Sequence, residues 1–330
     1  MADSHESPEV DGAALRALHT EAALLAPLAK DLVVARGEDR VRFLNGVVTG
    51  NVAGTPVGGG THALLLTPKA HILAEMRIFV RASDLLLFVA AGEGARAAEA
   101  LARYAVMDDF TAEAAPAMQA LAVLGPAAAD RLEAAGLPAA SLAERPPWSH
   151  LEAGPIWLAR VKHLGVDGFW VAGASGDLGR LAETLAGTGL PRLTPATAEA
   201  ARVAAGEPLW GREITDEYFP MEIGLGDAID YKKGCFLGQE PIVRIRDRGH
   251  TNWRLARLEL PAGSPVQPGD RVETDEKPKA GKLTSVASAG ASGAAALGVV
   301  HVSVPAGARV RIAGGHGVAE GIVRDVSGPT

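Results

Sequence analysis

The chain has 330 residues, 48% of them hydrophobic, a formal net charge of -7 and one cysteine. That length suggests two or three domains, and the apolar fraction supplies several cores. A single cysteine excludes an internal disulfide and the four-cysteine ligation of an iron–sulfur cluster by this chain alone. The acidic balance argues against a surface coated by nucleic acid. No stretch approaches 18 consecutive apolar residues, and Asp3, Glu6 and Glu9 stand where a signal peptide would be basic. The expectation is a soluble, cytoplasmic protein with no membrane partner and no direct nucleic-acid partner.

In chain order, Leu15, Leu18, Ala22, Leu25 and Leu28 fall at helical spacing, which predicts an amphipathic helix over 12–29. Residues 32–35 read as a short strand. A short helix is expected from Asp39, closed by Asn45-Gly46 in a left-handed cap. Strands are predicted at 62–67, 72–80 and 85–90, the last two as a hairpin. A helix over 93–106, extended segments at 108–113 and 119–124, and a helix over 126–135 come next. Residues 156–162 should pair with 169–172 across Gly165-Val166-Asp167-Gly168, and 195–205 read as a helix. After Trp253 only short β-type segments remain, separated by glycine, proline and serine, as in a small barrel or sandwich. The fold class is α+β with an all-β last quarter.

Several constellations carry little chemistry. Gly92-Glu93-Gly94-Ala95-Arg96-Ala97 is a loose dinucleotide fingerprint, but the strand before it is an arm of a predicted hairpin, not part of a parallel βαβ unit. Gly58-Gly59-Gly60 lacks the lysine of a phosphate loop, and Ser149-His150 lacks a nucleophile elbow. The nine histidines show no H-x-H or H-x-x-x-H pair, so no metal site is indicated.

The segment from Lys233 to Glu240, KGCFLGQE, is more informative because it holds Cys235, the only cysteine. From Lys232 to Arg257 there are two lysines and five arginines against Glu240 and Asp247, a local charge of +5. Such a run is either a solvated face or an anion-binding surface. Cations near a thiol lower its pKa and make it a nucleophile or metal ligand, whereas a buried cysteine is a small inert hydrophobe. Upstream, Arg202 to Pro208 is followed by Pro220-Met221-Glu222, where proline restricts the backbone that presents the Glu222 carboxylate. Taken alone, Glu222 is equally a surface or ion-paired carboxylate.

Lys233-Gly234-Cys235-Phe236-x-Gly238-Gln239-Glu240 with Arg244 resembles the signature of the YgfZ family, within the glycine cleavage T-protein-like folate-binding superfamily. Arg42 to Thr49, Thr67-Pro68-Lys69, Arg202 to Glu222 and Gly281 to Ser285 resemble further family segments. The resemblance implies a three-domain ring around a folate site: a discontinuous first α+β domain (1–30 and 117–247), a second inserted at 31–116, and a β-barrel domain at 248–330. It also implies tetrahydrofolate or a derivative as ligand. Glu222 would face the N3-H and 2-amino pair of the pterin, with Lys233, Gly238, Gln239, Glu240 and Arg244 around the binding site. Cys235 would serve iron, sulfur or one-carbon chemistry, and iron–sulfur client or assembly proteins would be partners, with indirect support of tRNA modification. Two departures stand out. Ala70 occupies a position often held by glycine, and Glu75 stands where T-proteins carry a catalytic aspartate, one methylene shorter. The main expectation is a folate-binding factor in iron–sulfur cluster assembly or repair. The alternative is a folate-dependent aminomethyltransferase or demethylase with Glu75 as acid–base group.

Overall fold

A computed structural model describes residues 9–288 and 293–326. The leading residues Asp3 and Glu6 lie outside the described residues, as do the two ends of the expected three-domain division. The chain begins with α1 (Gly12–Thr20), β1 (Ala23–Leu25), β2 (Lys30–Arg36) and α2 (Arg40–Val47). It continues with β3 (Gly60–Leu66), β4 (Ile72–Val80), β5 (Leu85–Ala90), α3 (Gly94–Ala102) and β6 (Thr111–Ala114). Then follow β7 (Met118–Leu124), α4 (Ala128–Ala134), α5 (Ala140–Ala143), β8 (His150–Ala153), β9 (Ile156–His163) and β10 (Val166–Ala174). After α6 (Ser175–Gly187) and α7 (Pro195–Ala205) come 3₁₀ turns at Pro220–Ile223 and Gly226–Ala228, then α8 (Gln239–Arg248). The last strands are β11 (Trp253–Leu260), β12 (Arg271–Glu273), β13 (Gly281–Ser288), β14 (Ala294–His301), β15 (Arg309–Gly314) and β16 (Gly317–Asp325).

These strands form two five-stranded antiparallel sheets, β1-β7-β10-β9-β8 and β3-β4-β5-β2-β6, and a closed six-stranded barrel, β11-β14-β13-β12-β15-β16. The two open sheets stack face to face. Leu32, Val34, Phe79, Leu86 and Phe88 of the second sheet meet Ala120, Ala122, Trp157, Ala159 and Trp170 of the first in one continuous core. Period-2 alternation sends the opposite residues outward: Val33, Met76, Ile78 and Leu87 pack with α2 and α3, while Leu121, Leu158 and Val171 pack with α4 and α6. Both sheets are therefore buried on both faces, which is why β5 is apolar at every position.

Three expectations about elements change. The helix predicted over 12–29 stops at Thr20, because Ala23–Leu25 pair with Leu124, Val123 and Ala122 of β7, and Pro27 cannot sit inside a helix. The predicted left-handed cap at Asn45-Gly46 does not form. The helix α2 runs through both residues, and the Asn45 side chain instead accepts from the Ala53 amide at 3.1 Å. Residues 239–248, read as a basic run, form α8, with Ile242 as its buried residue. The loose dinucleotide fingerprint also falls away: β5 is antiparallel to both its neighbours. The α3 N-terminus is occupied by the chain itself, since the Gly94 amide donates to Asp31 Oδ2 at 2.9 Å.

Candidate functional site

Strand pairing builds a charged cluster at one end of the sheet stack. His62 of β3 is opposite Arg77 of β4, Leu64 is opposite Glu75, and Lys30 of β2 is opposite Ala90 of β5. Alternation places Glu75 and Arg77 on the face of β4 that Phe79 also occupies, toward the other sheet. Lys30 Nζ lies 3.3 Å from Glu75 Oε2, and His62 Nε2 lies 3.0 Å from Glu75 Oε1, off the line of a well-formed hydrogen bond. Arg77 Nη1 donates to the same Oε1. Burial alone would raise the Glu75 pKa, but Lys30 and Arg77, helped by His62, hold the carboxyl well below its usual range. Burial pushes the His62 pKa down to about 4, aided by the Arg77 charge and opposed by Glu75, so its imidazole is neutral at pH 7. Ala74, Glu75, Val89, Ala90, Glu93 and Trp210 close around this point and leave no space large enough for a water molecule.

Arg77 extends the cluster. Its guanidinium lies 5.1 Å from the centre of the Trp148 ring, and Trp148 is 6.0 Å from Trp170 of β10. Trp170 meets His163 edge-on at 5.7 Å. His163 Nδ1 is 3.0 Å from Glu207 Oε2, while the Gly165 amide donates to Glu207 Oε1 at 3.2 Å. Burial opposes ionisation of Glu207, yet its pKa is lowered, by His163 first and then by the Gly165 amide and Arg77. Sequence reasoning singled out Glu75 alone here. Lys30, His62 and Arg77 were missed because strand register, not spacing, brings them to it.

Glu222 sits on the first 3₁₀ turn and is buried. Its Oε2 accepts from the Phe219 amide at 3.0 Å, and its Oε1 accepts from the Asn252 and Trp253 amides at 3.3 Å each. The sequence suggested two oxygens free for an outside pair of donors, but three amides already occupy them. Of about four acceptor directions on a carboxylate, roughly one remains. The glutamate therefore also fastens the start of the barrel to the turn that carries it.

Cys235 is exposed. The cations close to it in sequence turn elsewhere. Lys233 Nζ donates to the carbonyls of Asn45, Val48 and Gly50 at 2.5, 2.6 and 2.9 Å, and Arg246 lies over the Tyr231 ring and pairs with Asp247. Arg244 pairs with Glu240 one turn earlier on the exposed face of α8. Gly238 has φ 77°, and a Cβ there would come within 2.5 Å of the Thr67 carbonyl, so a close backbone approach requires glycine. Gln239 opens α8, its amide donating to the Phe236 carbonyl at 3.3 Å. Ala70, beneath this approach, is itself left-handed at φ 65°, a conformation that glycine adopts without strain. The structure thus brings Lys233, Gly238, Gln239, Glu240 and Arg244 onto one loop and helix beside Cys235. Among the described residues no hydrogen bond or ion pair joins that loop to Glu75 or to Glu222.

Two further motifs converge on each other. Arg202 of α7 donates to Glu213 Oε2 at 3.1 Å and to Ser285 Oγ of β13 at 2.6 Å, and Ser285 donates to Glu213 Oε1 at 2.6 Å. Among the described residues, no group of three or more His, Cys, Asp and Glu is arranged to hold a metal ion, and no helix is long and apolar enough to cross a membrane.

Comparison with known proteins matches residues 13–233 to the GCVT N-terminal domain. The chain is 27% identical over 272 residues to a chloroplastic protein of Arabidopsis thaliana whose name assigns it provisionally as a transferase, covering 81% of this chain and 62% of that protein. It is 26% identical over 239 residues to an aminomethyltransferase of Bacillus mycoides, covering 69% of this chain and 64% of that one. The chain thus spans less than two thirds of the length of either relative. Among solved structures, the glycine cleavage system aminomethyltransferase T of Bartonella henselae superposes with a TM-score of 0.85 at 24% identity, covering 95% of this chain and 88% of that one. The three-sheet architecture is therefore a T-protein-like fold.

Proposed function

Because this chain belongs to the GCVT N-terminal domain family, we propose that it is a tetrahydrofolate-dependent one-carbon transferase of the aminomethyltransferase kind. The observation that carries this reading is Glu75, a buried carboxylate held ionised by Lys30 and Arg77 and packed beside Trp210. Transfer to a folate nitrogen develops positive charge on that nitrogen, which a fixed, desolvated carboxylate favours. So low a pKa makes Glu75 a weak proton acceptor, so its contribution is electrostatic and positional. Relatives named as aminomethyltransferases support this reading over the iron–sulfur role.

Tetrahydrofolate would enter as substrate, with Glu222 offering its remaining acceptor direction to a pterin N–H. The space beside Glu75 does not admit even a water-sized group, far below the roughly 300–1,000 Å³ of most ligand sites, so a pterin edge reaches Glu75 only if Trp210 moves. Cys235 supports a second reading: an exposed thiol on a loop pinned by Lys233 suits transient iron or sulfur handling for a client protein, and so indirect support of tRNA modification.

Anaerobic calorimetric titration of tetrahydrofolate into the wild type and Glu222→Ala tests the ligand. Micromolar binding weakened at least about ten-fold, roughly 1.4 kcal/mol, is expected; absence of binding by a folded wild type removes the reading. Turnover with an aminomethylated lipoyl carrier, lost in Glu75→Gln, tests the reaction. If instead Cys235→Ala fails to restore cluster-enzyme activity in a deletion strain while Glu75→Gln restores it, the iron–sulfur reading replaces the transferase.

A further inference from the structure

Arg202, Glu213 and Ser285 form a buried network to which the proposed reaction gives no part. Ser285 reaches it from the barrel because β13 bulges. Leu283 is opposite Gly298 and Ser285 is opposite Leu297, so Thr284 is an extra residue in the strand. A bulge of this kind re-aims the side chain beside it. The network continues past its three members. Glu213 Oε2 also accepts from the Leu209 amide at 2.9 Å, and Arg202 Nη1 also donates to the Glu207 carbonyl at 2.6 Å.

These bonds hold both ends of one tight turn. The Leu209 carbonyl accepts from the amides of Arg212, Glu213 and Ile214 at 3.1 Å each, and the Gly211 amide donates back to the Ile214 carbonyl at 3.0 Å. Gly211 has φ 78°, the left-handed conformation that lets so short a loop close. Trp210 stands at its head, half-buried, and packs beside Glu75 with Ala74, Val89, Ala90 and Glu93. Among the described residues no hydrogen bond, ion pair or ring contact ties the Trp210 side chain to either open sheet. Apart from apolar packing, its place is set by the turn, and the turn is set by Glu213. No room for a water molecule remains at this point, and a close-packed wall transmits displacement rather than absorbing it. The stiffness of the turn therefore decides how readily Trp210 gives way in front of the carboxylate.

We propose that Glu213 is a positioning residue: with Arg202 and Ser285 it fixes the turn that seats Trp210 beside Glu75, so the barrel strand β13 sets how tightly the Glu75 site is closed. The inference deepens the proposed one-carbon transfer and rests on it for the use made of Glu75. The seating of Trp210 is measured without any ligand, so its failure is distinct from failure of that reading, which the tetrahydrofolate titration tests.

The test uses the full chain labelled with 5-fluorotryptophan, the Trp210 ¹⁹F line being assigned by its loss in Trp210→Phe. The shift of that line between H2O and D2O reports how far solvent reaches the ring. In the wild type it should be intermediate, as for a half-buried ring. It should rise toward the value of free 5-fluorotryptophan in Glu213→Ala and in Ser285→Ala, and stay near the wild-type value in Glu213→Gln, which keeps an acceptor for the Leu209 amide. His150→Phe breaks hydrogen bonds between the open sheets and none in the turn, so it should leave the Trp210 line unchanged and separates seating from a general loss of stability. Equal isotope shifts in the wild type, Glu213→Ala and Ser285→Ala, or an equal rise in His150→Phe, overturn the proposal. A rise in Glu213→Ala without one in Ser285→Ala overturns the link to the barrel. If Glu213→Ala does not fold, Ser285→Ala carries the same comparison.

Discussion

His62 and Glu75 lie on adjacent antiparallel strands with Nε2 and Oε1 3.0 Å apart, and the same surroundings lower both their pKa values. Burial keeps the imidazole neutral, while two cations keep the carboxyl ionised despite burial. The pair is therefore a neutral imidazole beside a fixed negative charge at pH 7, with the Arg77 charge acting on both.

The first prediction concerns acid. His62 has a folded pKa of about 4 against about 6.5 unfolded. As pH falls below about 6.5 the unfolded chain takes up the proton first. The stability linked to His62 is complete above that pH and is lost progressively down to about 4, by up to about 3 kcal/mol. Urea denaturation across pH 7 to 4 measures the loss, and NMR titration locates the midpoint. Arg77→Met should move that midpoint upward, since the Arg77 charge depresses it, and Glu75→Gln should move it downward. Opposite shifts would remove the electrostatic account.

A second prediction concerns the network that joins α7 to the barrel. Arg202, Glu213 and Ser285 are all buried and bonded to one another. Glu213→Ala leaves Ser285 and the Leu209 amide without their acceptor while Arg202 keeps its pair with Glu199, so it should cost about 1–3 kcal/mol in thermal or urea unfolding. Arg212→Ala, which breaks an exposed pair with Glu199, should cost under about 1 kcal/mol. Equal effects would mean that the burial of the network contributes little.

The two open sheets are also tied by His150. Trp157 Nε1 can only donate, and it donates to His150 Nδ1 at 3.1 Å. The ring proton therefore lies on Nε2, facing the Val80 carbonyl at 3.0 Å. Burial lowers the His150 pKa, against the hydrogen bond to Val80, which favours the charged ring. His150→Phe keeps the aromatic packing but orphans both partners, so a loss of about 2–4 kcal/mol is expected. Unfolding midpoints of His150→Phe and His150→Gln, the latter retaining a donor and an acceptor, separate hydrogen bonding from ring packing.

Much of the fold was legible, and the reasons are local. Residues 195–205 read as a helix from Pro195 and the turn after Ala205, and the structure adds a Thr194 cap and a left-handed Gly206 at φ 74°. The barrel strands were legible from short β-type segments between turn residues. By contrast, α8 was hidden because one buried residue, Ile242, anchors ten positions, too little to mark an apolar stripe. The cluster around Glu75 was hidden because Lys30, His62 and Arg77 meet only through the register of β2, β3 and β4, which no local pattern encodes. Lys233 was visible as a charge near a thiol, but spacing does not say where a four-carbon stem points. It points away, into three carbonyls.

That carbonyl cage supplies the last prediction. Lys233 Nζ binds three carbonyls over 45–50, and the Phe236 ring lies 5.6 Å from it. The Asp230 amide donates to the Thr49 carbonyl, and Thr49 Oγ1 donates to the Ala228 carbonyl. Burial brings the Lys233 pKa down to about 8, while the three acceptors favour the ammonium. Lys233→Met keeps the aliphatic stem but leaves those carbonyls without their donor, so the loop carrying Cys235 should loosen without unfolding of the sheets. Hydrogen exchange over 228–238 is expected to rise at least about ten-fold, roughly 1.4 kcal/mol of local stability, with exchange in β4 and β5 unchanged. The reaction rate of Cys235 with a disulfide reagent should change in parallel. Unchanged exchange over 228–238 would show that Thr49 and Gly238 hold the loop without Lys233.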